Sequence, residues 1–431
     1  MGSTGELLQK LQEGRGDEAL RGLYALDGSD ASLEKGRERA VRVVRAFEAE
    51  FGARPEAALF SGPGRTEIGG NHTDHQHGRV LCGSVDLDML ACAAPNGTDL
   101  VRIQSEGYPA LEVDLRDLKV REEEKNSSPA LVRGVAARLA ELGCRPAGFD
   151  AYVTSTVLSG SGLSSSAAYE ILVATIIDCF FGGGTLDPVE RAKVGQYAEN
   201  VYFGKPCGLM DQMGSSVGGA VAIDFADPAA PVVKKVEYDF TRSGHALCIV
   251  DTGSCHADLT DDYADITREM GAVAAHFGKK FLRDVDEGAF RAALPQLRQE
   301  CGDRAVLRTM HFFEEDCRAE QEAQALEQGD FAAFLALVDQ SGLSSALNLQ
   351  NTWSAAAPQQ QAIPVALAVG RELLGGSGAI RVHGGGFAGT IQAFVPNEKL
   401  ETFRRGMEEL LGPGMCHILH IRPQGGCVVL K

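Results

Sequence analysis

No stretch of this chain is apolar for long enough to cross a bilayer. The longest apolar run, around Ile171 to Phe181, is interrupted by Asp178 and falls well short of the ~20 residues a spanning helix needs. The first thirty residues hold no apolar segment of the signal-peptide kind. Basic residues are in deficit, 41 against 59 acidic ones, for a net charge of -18. Sequence-independent binding to nucleic acid or to an anionic membrane needs a basic surface, so neither is expected as a partner, while one local pocket can still take an anionic ligand. The eleven cysteines include no C-x-x-C pair and their number is odd. That reads as reduced, mostly buried thiols in a cytoplasmic protein rather than a disulfide framework. There are no repeats and no low-complexity segments.

What is present is ordinary for a soluble globular protein, with 44% hydrophobic and 23% charged residues. At 431 residues the chain exceeds what one core supports, so two domains are expected. Leu7 to Gly52 is charge-rich with helical spacing at Ala40, Val43, Val44, Phe47 and Phe51, and it stops at a glycine. Apolar runs at Ala57–Phe60 and Val80–Ala94 predict strands, and Asp99–Val113 a further strand or hairpin. Ala130–Leu142 predicts a helix and Ala151–Leu158 a strand that leads into a glycine loop and a long apolar helix. Asp187–Tyr202 predicts another helix. ADPAAP, at residues 226–231, reads as a connection near a domain boundary. Beyond it come a strand at Ala246–Val250, several helices between Thr267 and Leu347, and a strand and glycine turn in AIRVHGGGFAGTIQAFV. The fold class is α+β, with mainly antiparallel strands.

Three glycine-rich signals stand out, together with the polar stretch GPGRTEIGGNHTDHQHG at 62–78. Gly160-Ser161-Gly162-Leu163-Ser164-Ser165-Ser166 opens a helix, where consecutive N–H groups and the helix dipole can cradle a phosphate. It lacks the G-K-[ST] of a Walker loop and the third glycine of a dinucleotide fingerprint, and by itself such a loop is more often a tight turn with an N-cap than a phosphate site. CGLMDQMGSS sets Asp211 between two methionines, where it could act as a base beside an arginine or merely cap a helix. VHGGGFAGT is a bulged hairpin or a backbone packed against a phosphate. Zinc is a poor reading of His72, His75 and His77, because three histidines on one short loop define no tetrahedral site.

The order P-G-R…H-x-D, G-x-G-L-S-S-S-A, C-G-x-M-D-Q and G-G-G-F resembles the GHMP small-molecule kinases, and among them the galactokinase family, from about Ala58 to Val395. The resemblance implies a two-lobed GHMP kinase fold with an N-terminal phosphate-loop lobe and a C-terminal ferredoxin-like lobe. The expected divisions are an N-terminal helical extension at 1–45, the N-terminal kinase domain at 46–225 and the C-terminal one at 226–431. It implies ATP and Mg2+ as cofactors and transfer of phosphate to the C1 hydroxyl of a sugar. Asp211 would accept or orient that hydroxyl's proton, and Arg65 would stabilise charge on the transferring phosphoryl group. Residues 160 to 166 would wrap the ATP phosphates. Ser166 and Glu199, the latter twelve residues before Asp211, would hold Mg2+ through hard oxygen ligands. Asn71, His72, Asp74 and Tyr263 would face the sugar.

The chain departs from the family pattern G-R-x-N-[LIV]-I-G-[DE]-H-x-D-Y. It has Glu67 for Asn, Gly69 for Ile, Asn71 for the acidic residue and His75 for Tyr, and it carries more sequence before Ala40 than relatives usually do. An amide at 71 can still accept the sugar's C6 hydroxyl. It also removes repulsion toward a C6 carboxylate, roughly 4 kcal/mol for two charges about 4 Å apart at an effective dielectric of about 20. Galactose or a close galacto-configured sugar is favoured, with galacturonate the alternative. A sensor built on an inactive galactokinase fold is the reading from another class, and the retained Arg65, Glu199 and Asp211 count against it.

Overall fold

The computed structural model describes residues 1–157, 162–205, 207–254 and 259–431, so Gly160 and Ser161 of the serine-rich loop lie outside the described residues. Side-chain alternation along two long strands decides the layering of the first half. β1 (Ala58–Gly69) pairs antiparallel with β2 (Arg79–Pro95). Ala58, Phe60, Ala91 and Ala93 point to one face, and Leu59, Leu90, Cys92 and Ala94 to the other. The first face packs on helices Ser128–Glu141 and Ser165–Ile177. The second is covered by the N-terminal helices Thr4–Gln12, Asp17–Tyr24 and Asp30–Phe51, which bury Leu7, Leu11, Leu20, Val43 and Phe47. Contrary to the expectation from sequence, Ser165–Gly182 is long and apolar enough to cross a membrane by length and composition, but it is a core helix and its continuation, with Ala167 through Ile177 all buried.

β3 (Leu100–Ser105) and β4 (Leu111–Asp114) form the hairpin expected after β2. β5 (Phe149–Ser155) lies between β2 and β3, running parallel to β3. β6 (Ala220–Asp224) pairs with the first half of β2, and β7 (Val232–Val236) with β6. The second lobe is built from β8 (His245–Asp251), β9 (Ala379–His383), β10 (Thr390–Pro396) and β11 (Cys416–Leu419), in the order β11-β8-β10-β9. Helices Ala362–Leu374 and Leu400–Leu411 pack on this antiparallel sheet through Ile363, Leu367, Phe403 and Met407, giving the strand, helix, strand, strand, helix, strand pattern of a ferredoxin-like lobe with the helices between Thr260 and Leu349 inserted after β8. The chain then returns: β12 (Cys427–Leu430) pairs with β1 and completes the large sheet, in the order β12-β1-β2-β5-β3-β4. That sheet therefore reaches past residue 225 in β7 and takes back the C-terminal strand.

Two irregularities in β1 aim the site. The β1–β2 register shifts between Pro63 and Arg65 and again between Glu67 and Gly69. Bulges of this kind bend a strand and redirect its side chains. Arg65 and Glu67 sit between the two shifts and both turn into the molecule, Arg65 being 6% exposed and Glu67 4%.

Candidate active site

Asp211 lies in the first turn of the helix Met210–Val217, where the helix dipole favours a negative charge. Arg65 donates to its Oδ1 from Nε at 2.9 Å and from Nη2 at 2.7 Å, and the Ser164 hydroxyl donates to its Oδ2 at 2.5 Å. Arg65 also donates from Nη1 to the Gly162 carbonyl, and its backbone N–H to Leu163 O at 3.1 Å. Burial opposes ionisation of Asp211, but the Arg65 charge and the Ser164 bond outweigh it and hold the pKa below the ordinary carboxylate value. A carboxylate that stays charged yet keeps an oxygen on a mobile hydroxyl can accept a bond from an incoming hydroxyl. Ser164 reaches it from a left-handed backbone (φ 55°), a strained conformation for a residue with a side chain. Arg65 and the described part of the serine-rich loop are therefore one hydrogen-bonded unit around Asp211. Leu163 is buried in the core, and Ser165 is half-buried at the helix start.

Behind this unit sits a second group of oxygens. Ser166 Oγ donates to Glu199 Oε1 at 3.1 Å, so the two residues expected to bind a cation are in contact. Gln212 Nε2 donates to Glu199 Oε2 at 2.8 Å and to Glu170 Oε2 at 3.0 Å. Glu170 is fully buried and its Oε1 has no hydrogen-bond partner. Burial and the nearby Glu199 charge raise its pKa well above the ordinary value. Among the described residues no group of three acidic, histidine or cysteine side chains could hold a metal alone. One hydroxyl and one carboxylate nevertheless suit Mg2+, which takes few protein ligands and completes its shell with phosphates and water.

The polar loop that follows β1 is held by the turn between β9 and β10. Three successive glycine carbonyls each accept a bond from an expected sugar-site residue: Gly384 O from Asn71 Nδ2 at 2.7 Å, Gly385 O from His72 Nε2 at 2.8 Å, and Gly386 O from Tyr263 Oη at 2.9 Å. A Cβ at Gly385 would run into the Tyr263 ring and one at Gly386 into Asn351, so this turn admits no side chain there. The three-glycine motif thus works as a row of carbonyl acceptors, an alternative to the phosphate contact considered from sequence. The His72 and Tyr263 rings stack at 6.4 Å.

Burial disfavours the charged form of His72 and His75. A carbonyl only accepts, so His72 carries its proton on Nε2 and takes a bond on Nδ1 from His75 Nε2 at 3.3 Å. Burial pushes His72 down to about 4 and His75 to about 3. Asp74 behaves oppositely: burial first, then the charges of Asp211 and Glu67, raise it to about 6. Its carboxylate lies against the Gly208 backbone, where a Cβ would collide with it. A cavity of about 360 Å³ opens here, lined by Asp74, His75, Gln196, Cys207, Gly208 and Leu209 among others.

Asn71 departs from the expectation. It is completely buried; its Nδ2 donates to Gly384 O and to Glu67 Oε1 at 2.9 Å, and its Oδ1 accepts from Asn351 Nδ2 at 2.9 Å and Ser345 Oγ at 3.2 Å. Every hydrogen-bonding position of the amide is engaged within the protein, leaving none turned to a sugar. Sequence reading also missed the Gln212 and Glu170 contribution. The available signals were Gln212 beside Asp211 in the CGLMDQ string, and Glu170 one helical turn after Ser166.

Comparison with known proteins bears on the family and the fold. The galactokinase galactose-binding signature matches residues 45–95, and the GHMP kinase N-terminal domain matches residues 130–219. A galactokinase of Streptomyces coelicolor is 31% identical over 363 residues, 84% of this chain and 90% of that protein. Lactococcus lactis galactokinase in complex with galactose has the same fold, with a TM-score of 0.74 at 23% identity over 89% of this chain and 98% of that one. Methanococcus jannaschii mevalonate kinase shares it at a TM-score of 0.61 and 14% identity, over 85% of this chain and 99% of that one.

Proposed function

The chain belongs to the galactokinase family of GHMP kinases, phosphotransferases acting on a sugar with ATP, and from that premise we propose that it phosphorylates the anomeric C1 hydroxyl of galactose or a close galacto-configured sugar. The observation that carries the reading is the Arg65–Asp211–Ser164 unit at the start of the phosphate-loop helix. In it Asp211 accepts or orients the C1 hydroxyl proton, and Arg65 offsets charge on the phosphoryl group in flight. Phosphoryl transfer draws most of its acceleration from positioning and electrostatics, so a small cast suffices.

Asp74 accepts bonds from ring hydroxyls once ionised, and His72 and Tyr263 line the same loop. Residues 160–166 take the ATP phosphates, and Ser166 with Glu199 holds Mg2+, which would neutralise phosphate charge when bound. The cysteines among the described residues are all free, which supports a reducing, cytoplasmic setting.

A neutral sugar is favoured over galacturonate because the loop offers no cation of its own: His72 and His75 stay uncharged at neutral pH. The discriminating experiment measures ADP release with galactose, galacturonate, arabinose, glucose and N-acetylgalactosamine, at fixed ATP and Mg2+. Turnover with galactose and none with galacturonate supports the reading. Turnover chiefly with galacturonate replaces the substrate. Sugar and ATP binding without any ADP release makes the protein a sensor.

A further inference from the structure

Asn71 and Glu67, two of the positions where the chain departs from its family's pattern, are bonded to each other: Asn71 Nδ2 donates to Glu67 Oε1 at 2.9 Å. Glu67 also accepts from Arg381 Nη2 at 2.5 Å, and Arg381 is wholly buried. The backbone of Asn71 is fixed on both sides. Its N–H, with that of Gly70, donates to Glu315 Oε1 at 3.2 Å, and its carbonyl accepts from His311 Nε2 at 2.9 Å. Glu315 is held in turn by Ser341 Oγ at 2.6 Å and by Arg318. Through one residue the start of the polar loop is tied to β1, to the helix Asp303–Glu327, to Ser345 and Asn351, and to the glycine turn before β10. His72 follows directly in a left-handed conformation (φ 60°), and Asp74 two residues later.

We propose that Glu67 and Asn71 form a matched carboxylate–amide pair that positions the 70–78 loop for the sugar, so that they govern sugar affinity and contribute little to phosphoryl transfer. They are positioning residues, since neither side chain faces the cavity. The pairing is specific in chemistry. A carboxylate at both positions puts two charges in contact and leaves Gly384 O without its donor. An amide at both leaves Arg381 without the carboxylate it bonds. Exchanging the two restores an amide-to-carboxylate bond between 67 and 71 and removes the contact of like charges, while Gly384 O still lacks its donor and Arg381 its carboxylate, so the recovery is partial.

The test compares Glu67→Gln, Asn71→Asp and the double exchange, two changes that keep side-chain length. Each single variant is expected to raise the KM of whichever sugar the wild type uses by about tenfold or more with kcat within about threefold, and the double variant to lie well below the product of the singles. The kinetic readout rests on the sugar-kinase reading; hydrogen exchange does not. Backbone amides of 68–78 are expected to exchange faster in both singles and to recover partly in the double, with no substrate present. Ser345→Ala, which removes one weak bond to Asn71, is a milder probe should a single variant fail to fold. It should raise KM by about threefold and speed exchange in the same segment. Strictly multiplicative kinetics, a loss confined to kcat, or exchange unchanged in the singles or in Ser345→Ala overturns the pair. A wild type that phosphorylates no sugar overturns the function while the exchange result still judges the pair.

Discussion

Arg65 and Asp211 are joined at a single oxygen. Both guanidinium donors converge on Oδ1, and Oδ2 is left to Ser164. The arrangement holds the carboxylate ionised without closing both its oxygens with a fixed cation, which suits an acceptor that must exchange partners when a hydroxyl arrives.

Replacing Asp211 by Asn keeps the shape and removes the charge. Turnover should fall by about two orders of magnitude or more while sugar affinity, measured by calorimetry, stays close to wild type. Arg65→Ala should lower turnover comparably, and the double variant should lose less than the product because the two act together. Near-normal turnover in Asp211→Asn would take this residue out of the chemistry.

Ser166→Ala and Glu199→Gln should each raise the Mg2+ concentration needed for half-maximal rate. Gln212→Leu should do the same indirectly, since it leaves the Glu199 and Glu170 carboxylates without the amide that bridges them. Magnesium titrations at saturating sugar decide this; a change in sugar KM alone counts against the cation assignment.

Much of this site was legible in the sequence because its motifs are local. Arg65, Asp211, Ser166 and Glu199 are recognisable from short strings, and the structure brings them into contact. Asn71 was misread for the opposite reason. Its partners Glu315, Ser345, Asn351 and Gly384 lie hundreds of residues away, and no spacing rule reports a contact between lobes. The return of β12 to β1 was invisible for the same cause, whereas the β3–β4 pairing is local and falls where a further strand or hairpin was expected.

The N-terminal helices are part of the core. Leu7, Leu11, Leu20, Leu23, Val43, Val44 and Phe47 are at most 2% exposed and cover one face of the large sheet, and each is worth about 1.5–3 kcal/mol on burial. Their sum compares with the whole net stability of a domain, about 5–15 kcal/mol. Arg39 also neutralises the buried Asp88 at 2.5 Å. A chain beginning at residue 52 should be insoluble or lack a cooperative melting transition. A soluble, cooperatively melting product would show the helices to be dispensable.

Asp74 links stability to the sugar binding proposed for it. Its folded pKa of about 6 stands above an ordinary value near 3.8, so ionising it disfavours the folded state. The penalty is absent below the unfolded pKa, grows as pH rises from about 4 to 6, and is complete above that, at roughly 3 kcal/mol. Asp74→Asn removes it. The variant should therefore melt several degrees above wild type at pH 8, with the two curves converging near pH 4. It should also lose sugar affinity, because an amide oxygen is a poorer acceptor than a carboxylate. In the wild type, kcat/KM for the sugar should climb with pH through about 6 and level off near 7, as the free protein's carboxylate ionises. Melting curves from pH 4 to 8 and the pH profile of kcat/KM address the two halves separately. A variant no more stable than wild type at pH 8, together with a flat profile through pH 6, would mean that Asp74 is already ionised at its ordinary value.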